Sequence, residues 1–140
     1  MHFLVEKIYP QFHFAVTGAS YAGAPRDGTM MYITAKVGHL VEHLKGHREC
    51  LCFVERGIHV PEEICRDNGI VYAENPAYAY AAFAQEVGRE MQNEERKRGY
   101  KLQPNGYYTG ENVRIGADSY IEPNVLLGHD VVVGKGAVIL

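Results

Sequence analysis

The chain of 140 residues has no tryptophan, only three cysteines and no long apolar run. Each shortage excludes something. Cys50, Cys52 and Cys65 form an odd set without CxxC spacing, so neither a disulfide framework nor a cysteine-based metal site is indicated, and reduced thiols are expected. Cys50 and Cys52 alternate within an apolar run, as small core residues do. No segment approaches the roughly 18 apolar residues of a membrane helix, and Glu6 and Lys7 interrupt the first apolar stretch before a signal-peptide core can build. The formal charge of −3 gives no chain-wide attraction to nucleic acid or anionic lipid. The one basic cluster, Arg96, Lys97 and Arg98, follows Glu94 and Glu95 and reads as a helix C-terminus favouring cations. The expectation is a cytoplasmic protein with no membrane span and no nucleic-acid partner.

What is present divides in two. Residues 1–98 read as a small α/β domain, because runs with strand character alternate with stretches of helical period. Candidate strands are 3–8, 12–17, 30–34, 50–55 and 70–73. In the second, Phe12, Phe14 and Val16 share one face while His13 and Thr17 take the other, which puts His13 on the surface. "TGASYAGAPRDG", 17–28, is rich in glycine and small residues and reads as a loop. Helical spacing occurs at Val37, Leu40, Val41 and Leu44, and again at Tyr80, Phe83, Ala84, Val87 and Met91. Asn75 caps the second of these helices and Pro76 suits its first turn. Residues 99–108 have no period and read as a linker.

Beyond residue 108 the period becomes six. Anchors fall at Thr109, Ile115, Ile121, Leu127, Val133 and Ile139, a spacing that no helix or ordinary strand has. Three places after them come Asn112, Asp118, Asn124, Asp130 and Gly136, the residue types that best tolerate positive φ. A chain that bends every six residues with its anchors inward wraps into a parallel β-helix.

On these repeats the sequence resembles the hexapeptide acyltransferases, whose left-handed parallel β-helix has three faces of six residues, about 18 per coil. Residues 109–140 give under two such coils and stop in mid-repeat, so the expectation is the front part of a longer protein. The order of parts, with "DGTMMYIT", "CLCFVERG", the Asn75–Pro76 helix entry and then hexapeptides, resembles the UDP-3-O-acylglucosamine N-acyltransferases of lipid A biosynthesis. That resemblance implies an N-terminal uridine-binding domain and a homotrimer. It further implies transfer of an acyl group from acyl carrier protein or acyl-CoA to a nucleotide-linked amino sugar, with no bound cofactor and no metal. The alternative is a non-catalytic nucleotide-sugar-binding or oligomerisation module.

The candidate site residues follow from the resemblance. The family sandwiches uracil between an aromatic residue and a tyrosine, with an Asn-Pro pair between them. Tyr32 holds the first aromatic's place, Ala35 and Lys36 replace the pair, and Gly38 falls near the tyrosine's place. Lys36 is the candidate phosphate contact. The family's catalytic base is a histidine four residues before an anchor followed by glycine, and His129, with Val133 and Gly134, has this register. Set against that role is a plain corner position next to Asp130, where polar side chains point outward on any coil. His39, His43 and His47, at i, i+4 and i+8, lack a further ligand and lie beside the apolar stripe where solvent-facing residues belong. Tyr80 and Phe83 fall on the apolar face of their helix and read as core rather than as a base-stacking platform.

Overall fold

The computed structural model describes all residues from Met1 to Leu140. They form two compact units, Met1–Arg89 and Glu90–Leu140. In the first, four parallel strands make one sheet: β3 (Gly18–Ala19), β4 (Thr29–Ile33), β5 (Leu51–Glu55) and β6 (Gly69–Ala73), adjacent in chain order. Strands β4 and β5 are apolar almost throughout because both faces of the sheet are covered. Met31, Ile33, Cys52 and Val54 pack on one face with Leu40, Val41, Leu44 and Ile64. Met30, Leu51 and Phe53 pack on the other with Phe83 and Val87 of the long helix α2 (Pro76–Lys97) and with Phe3, Val5 and Val16. Phe83 meets Phe3 and Phe53 there, with ring centroids 5.3 and 5.9 Å away.

Several elements differ from the expectation. The stretch 3–8 is a strand only at β1 (Phe3–Leu4) and then turns into a 3-10 helix at Val5–Lys7, while 12–17 pairs only through β2 (Ala15–Val16). His13 is exposed as expected. The glycine-rich loop begins with β3, which pairs with β4. Residues Ala35–Leu44 form 3-10 turns broken at Val37 rather than an α-helix, although Leu40, Val41 and Leu44 are buried as their spacing requires. Helix α1 (Glu62–Asp67) has no counterpart in the periodicity, because a helix of six residues burying only Ile64 is too short to show one. Buried Asn68 follows it: its Oδ1 accepts from the Cys50 N–H at 3.0 Å and its Nδ2 donates to the carbonyls of His47 and Ile64 at 3.1 Å. That amide satisfies backbone groups the crossover would otherwise leave buried and unpaired. Helix α2 starts as read, with Asn75 Oδ1 accepting from the Tyr78 N–H at 3.0 Å.

In the second unit the stretch 99–108 is structured. Strand β7 (Lys101–Leu102) pairs antiparallel with β8 (Tyr108–Thr109), and Gln103 Nε2 donates to the anchor Thr109 at 2.7 Å. The remaining strands are two residues each: β9 (Arg114–Ile115), β10 (Tyr120–Ile121), β11 (Leu126–Leu127), β12 (Val132–Val133) and β13 (Val138–Ile139). Tyr108 lies opposite Leu126, Arg114 opposite Val132 and Tyr120 opposite Val138, all in parallel and all at an offset of 18 residues. That offset defines a coil of three six-residue faces. Its corners carry Asn112, Asp118, Asn124, Asp130 and Gly136 at φ between 55° and 69°, the left-handed positions assigned from the repeat. Ile121, Leu127 and Val133 form the buried core of the coil, whereas Ile115 is 37% exposed. Gly116 permits close stacking, because a Cβ there would lie 2.6 Å from the Gly134 carbonyl carbon.

The corner requirement yields a prediction. Asn124→Ala is expected to destabilise the second unit by ~1 kcal/mol, the cost of holding a Cβ without a polar side chain left-handed, and Asn124→Gly by less than half of that. Urea unfolding of the two variants beside the parent checks the order.

Candidate functional site

His129 stands at the corner after β11, one residue before left-handed Asp130. It does not point outward. Its side chain is 1% exposed, folded back over Gly110 on the preceding coil, where a Cβ would collide with Nδ1. The ring of Tyr100 covers it, with centroids 4.7 Å apart and planes tilted 37°. The outward corner position read from the sequence is therefore corrected, and the physical reason is the hole that Gly110 leaves and that Tyr100 closes.

The hydrogen bonds of His129 define its chemistry. Nδ1 accepts from the Glu111 backbone N–H at 2.8 Å, so the neutral ring carries its proton on Nε2. Nε2 is buried without a hydrogen-bond partner, and the nearest carboxylate oxygen is Glu95 Oε1 at 3.7 Å. A general base needs a free lone pair within reach of the proton it removes. In this geometry the imidazole presents a covered N–H donor instead.

Around the ring lies a charged cluster with Arg98 at its centre. Its Nη1 and Nη2 grip both carboxylate oxygens of Asp130 at 2.8 and 3.2 Å, Nε donates to Glu111 at 3.1 Å, and Nη1 also reaches Glu95 at 3.4 Å. Asn112 Nδ2 adds a bond to Asp130 at 2.9 Å. The forked guanidinium, and then Asn112, hold the Asp130 carboxyl down at about 2, and Arg98 with the Gly99 N–H lowers Glu111. Asp130, followed by Glu111, raises Arg98 above its ordinary range. Arg98, read from the sequence only as part of a solvated helix end, is thus the hub of a corner. The phase of the repeat held the signal: Glu111 and Asp130 occupy neighbouring corner places on successive coils.

Tyr32 and Lys36 belong to the first unit, and only one of them lines a cavity. Tyr32, 43% exposed, borders a space of about 320 Å³ together with Ser20, Tyr21, Met31, Thr34 and Tyr80. The cavity lies where β3 and β4 end, the carboxyl edge at which parallel sheets bind ligands. Tyr80, read as core, packs partly against the sheet but also faces Tyr32 at 5.2 Å. Lys36 is exposed and does not line this space. His39 and His43 of the 3-10 segment and His47 beyond it do not converge: His43 Nδ1 bonds the Gly23 carbonyl at 3.0 Å and His47 Nδ1 bonds Asp27 at 2.8 Å. Nor do Cys50 and Cys52 offer nucleophiles, since burial raises both thiols, Cys52 to about 12.

Residues 106–140 match the family model described as bacterial transferase hexapeptide (six repeats). The match covers about a quarter of the chain and supports the broad hexapeptide acyltransferase superfamily for that segment, with an acyltransferase type of function. No curated protein and no solved structure matches the chain. No helix is long and apolar enough to cross a membrane.

The corner cluster predicts an acid response. Asp130 and Glu111 titrate below their usual values of 3.8 and 4.5, so their stabilisation is complete above those values. It is lost as pH falls toward the folded value, about 2 for Asp130. Urea titrations of the parent at pH steps from ~5 to ~2 should show stability falling through this window. Asp130→Asn should be less stable at neutral pH and show a flatter profile below ~4, and superimposable profiles would contradict the assignment.

Proposed function

We propose that the chain serves a sugar acyltransferase of the hexapeptide class, recognising a nucleotide-linked amino sugar through its α/β unit and acting as a trimer whose repeats wind as a left-handed β-helix. The observation that carries this reading is the constant 18-residue offset of β8 to β13 with left-handed Asn, Asp and Gly corners, in the segment that matches the transferase repeat. In the reaction the sugar amine attacks the carbonyl carbon of a thioester on acyl carrier protein or coenzyme A. The new C–N bond forms, the C–S bond breaks, the thiol leaves, and a base takes the amine proton. Tyr32 stacks on the nucleobase, and Lys36, exposed just past β4, meets the phosphates. Work in the cytoplasm goes with this substrate chemistry.

His129 has the register of the base. To act as one it must lose the Tyr100 cover and release the Glu111 N–H so that a lone pair faces the amine. That burial favours the second reading, in which this chain binds a nucleotide sugar and assembles without performing the chemistry.

Calorimetric titration with UDP and UDP-N-acetylglucosamine, followed by an assay of thiol release from acyl donors with UDP-amino sugars, separates the two. Saturable UDP binding, weakened about tenfold by Tyr32→Ala, is expected under both. Turnover abolished by His129→Gln in a folded variant marks the acyltransferase reading, and UDP binding without turnover marks the binding module. No affinity for either nucleotide would overturn both.

A further inference from the structure

Tyr32 has two aromatic neighbours at the carboxyl edge of the sheet, supplied by segments far from it in sequence. Tyr80 comes from α2 and approaches the Tyr32 ring at 5.2 Å with planes 55° apart. It is braced from behind by Phe53, edge-on at 6.3 Å and 89°, so its ring is held in place by the core. Tyr21 comes from the loop between β3 and β4 and is built differently. Its ring is 69% exposed and lies over Gly23, where a Cβ would stand 2.9 Å from Tyr21 Cζ. The backbone on either side of Tyr21 is tied down. The Ser20 N–H donates to the Met30 carbonyl at 3.1 Å, and the hydroxyls of Ser20 and Thr29 are 2.7 Å apart. The Ala24 N–H donates to the Tyr21 carbonyl at 2.9 Å, and Arg26 Nη2 to the Ala19 carbonyl at 2.7 Å. A fixed loop carrying a free ring allows that ring to rotate about its own side-chain bonds with no loop rearrangement.

The lining has a second property. The three tyrosines, Ser20, Thr34 and the apolar side chains that line the space include no charged group, and its volume of about 320 Å³ lies at the small end of ligand pockets, ~300–1,000 Å³. An uncharged aromatic wall with hydroxyls at its rim suits a neutral planar ring with polar edges. Phosphate groups find no cation inside it.

We infer that Tyr80 and Tyr21 complete, with Tyr32, a cavity for the base of a nucleotide, in which Tyr80 is the fixed wall and Tyr21 the wall that swings onto the bound ring. The sugar and phosphates then lie outside the cavity, toward solvent. This assignment rests on the nucleotide reading proposed above and extends it to residues outside the segment that carries Tyr32.

The test is titration of the full chain with UDP, uridine and ribose 5-phosphate by calorimetry, with proton NMR of the uracil ring. Uridine should bind comparably to UDP and ribose 5-phosphate far more weakly, with the uracil H5 and H6 resonances shifted upfield by the flanking rings. Tyr21→Ala, at an exposed position that leaves the core intact, and Tyr80→Leu should each weaken UDP about tenfold, and Tyr21→Phe by less than twofold. UDP binding that is unchanged within twofold in both Tyr21→Ala and Tyr80→Leu overturns this inference while the nucleotide reading stands. Equal affinity for ribose 5-phosphate and UDP also overturns it. A parent protein that binds none of the three overturns the inference and the nucleotide reading together.

Discussion

Residues 109–140 depend on one backbone constraint: every six residues the chain must turn a corner through a residue in the left-handed region. Asn112, Asp118, Asn124, Asp130 and Gly136 meet that need, each at φ near 60°. Once the corners are set, strands of two residues suffice. Each pairs in parallel with the strand 18 residues on, so backbone bonds such as Gly110 N–H to Leu127 O and Gly116 N–H to Val133 O, both 2.8 Å, stack one coil on the next. The core of Ile121, Leu127 and Val133 follows from that stacking, because the anchors then coincide in the interior.

The same constraint explains His129. A corner lifts its residues out of the strand pairing and, with glycine at position 110 of the coil before, leaves room for a ring to fold inward. Nδ1 then satisfies the Glu111 N–H, a donor that the corner geometry would otherwise leave unpaired. Arg98 works on the outer side of the same corner, with Asp130 and Glu111 from successive coils on one guanidinium. The histidine and the arginine therefore perform one task from two sides, joining the coils at a point where no strand can.

Much of this was legible in the sequence. The anchors, the left-handed positions and the 18-residue coil follow from a strict period, and period survives without knowledge of neighbours. The buried face of α2 was legible for the same reason, as was the Asn75 cap. The rest was hidden where tertiary contacts decide. The 3-10 turns of Ala35–Leu44 keep helical spacing at Leu40, Val41 and Leu44 while breaking at Val37, so spacing alone could not identify the helix type. Strand β7 exists because β8 offers it an edge, and two residues carry no pattern of their own. Tyr80 was read for its face on the helix, which is correct, but a residue at the end of a core can also line a cavity. His129 showed the register of a base, and its burial depends on Gly110 and Tyr100, which no spacing around residue 129 reveals.

The imidazole of His129 is part of the scaffold, with Nδ1 as acceptor and the proton on Nε2 beneath Tyr100. Long-range proton–nitrogen correlation NMR of the histidine rings at neutral pH tests it directly. His129 should show a single Nε2–H tautomer whose ring proton exchanges slowly with solvent. An Nδ1–H tautomer, or a ring nitrogen proton exchanging as fast as that of exposed His13, would contradict it.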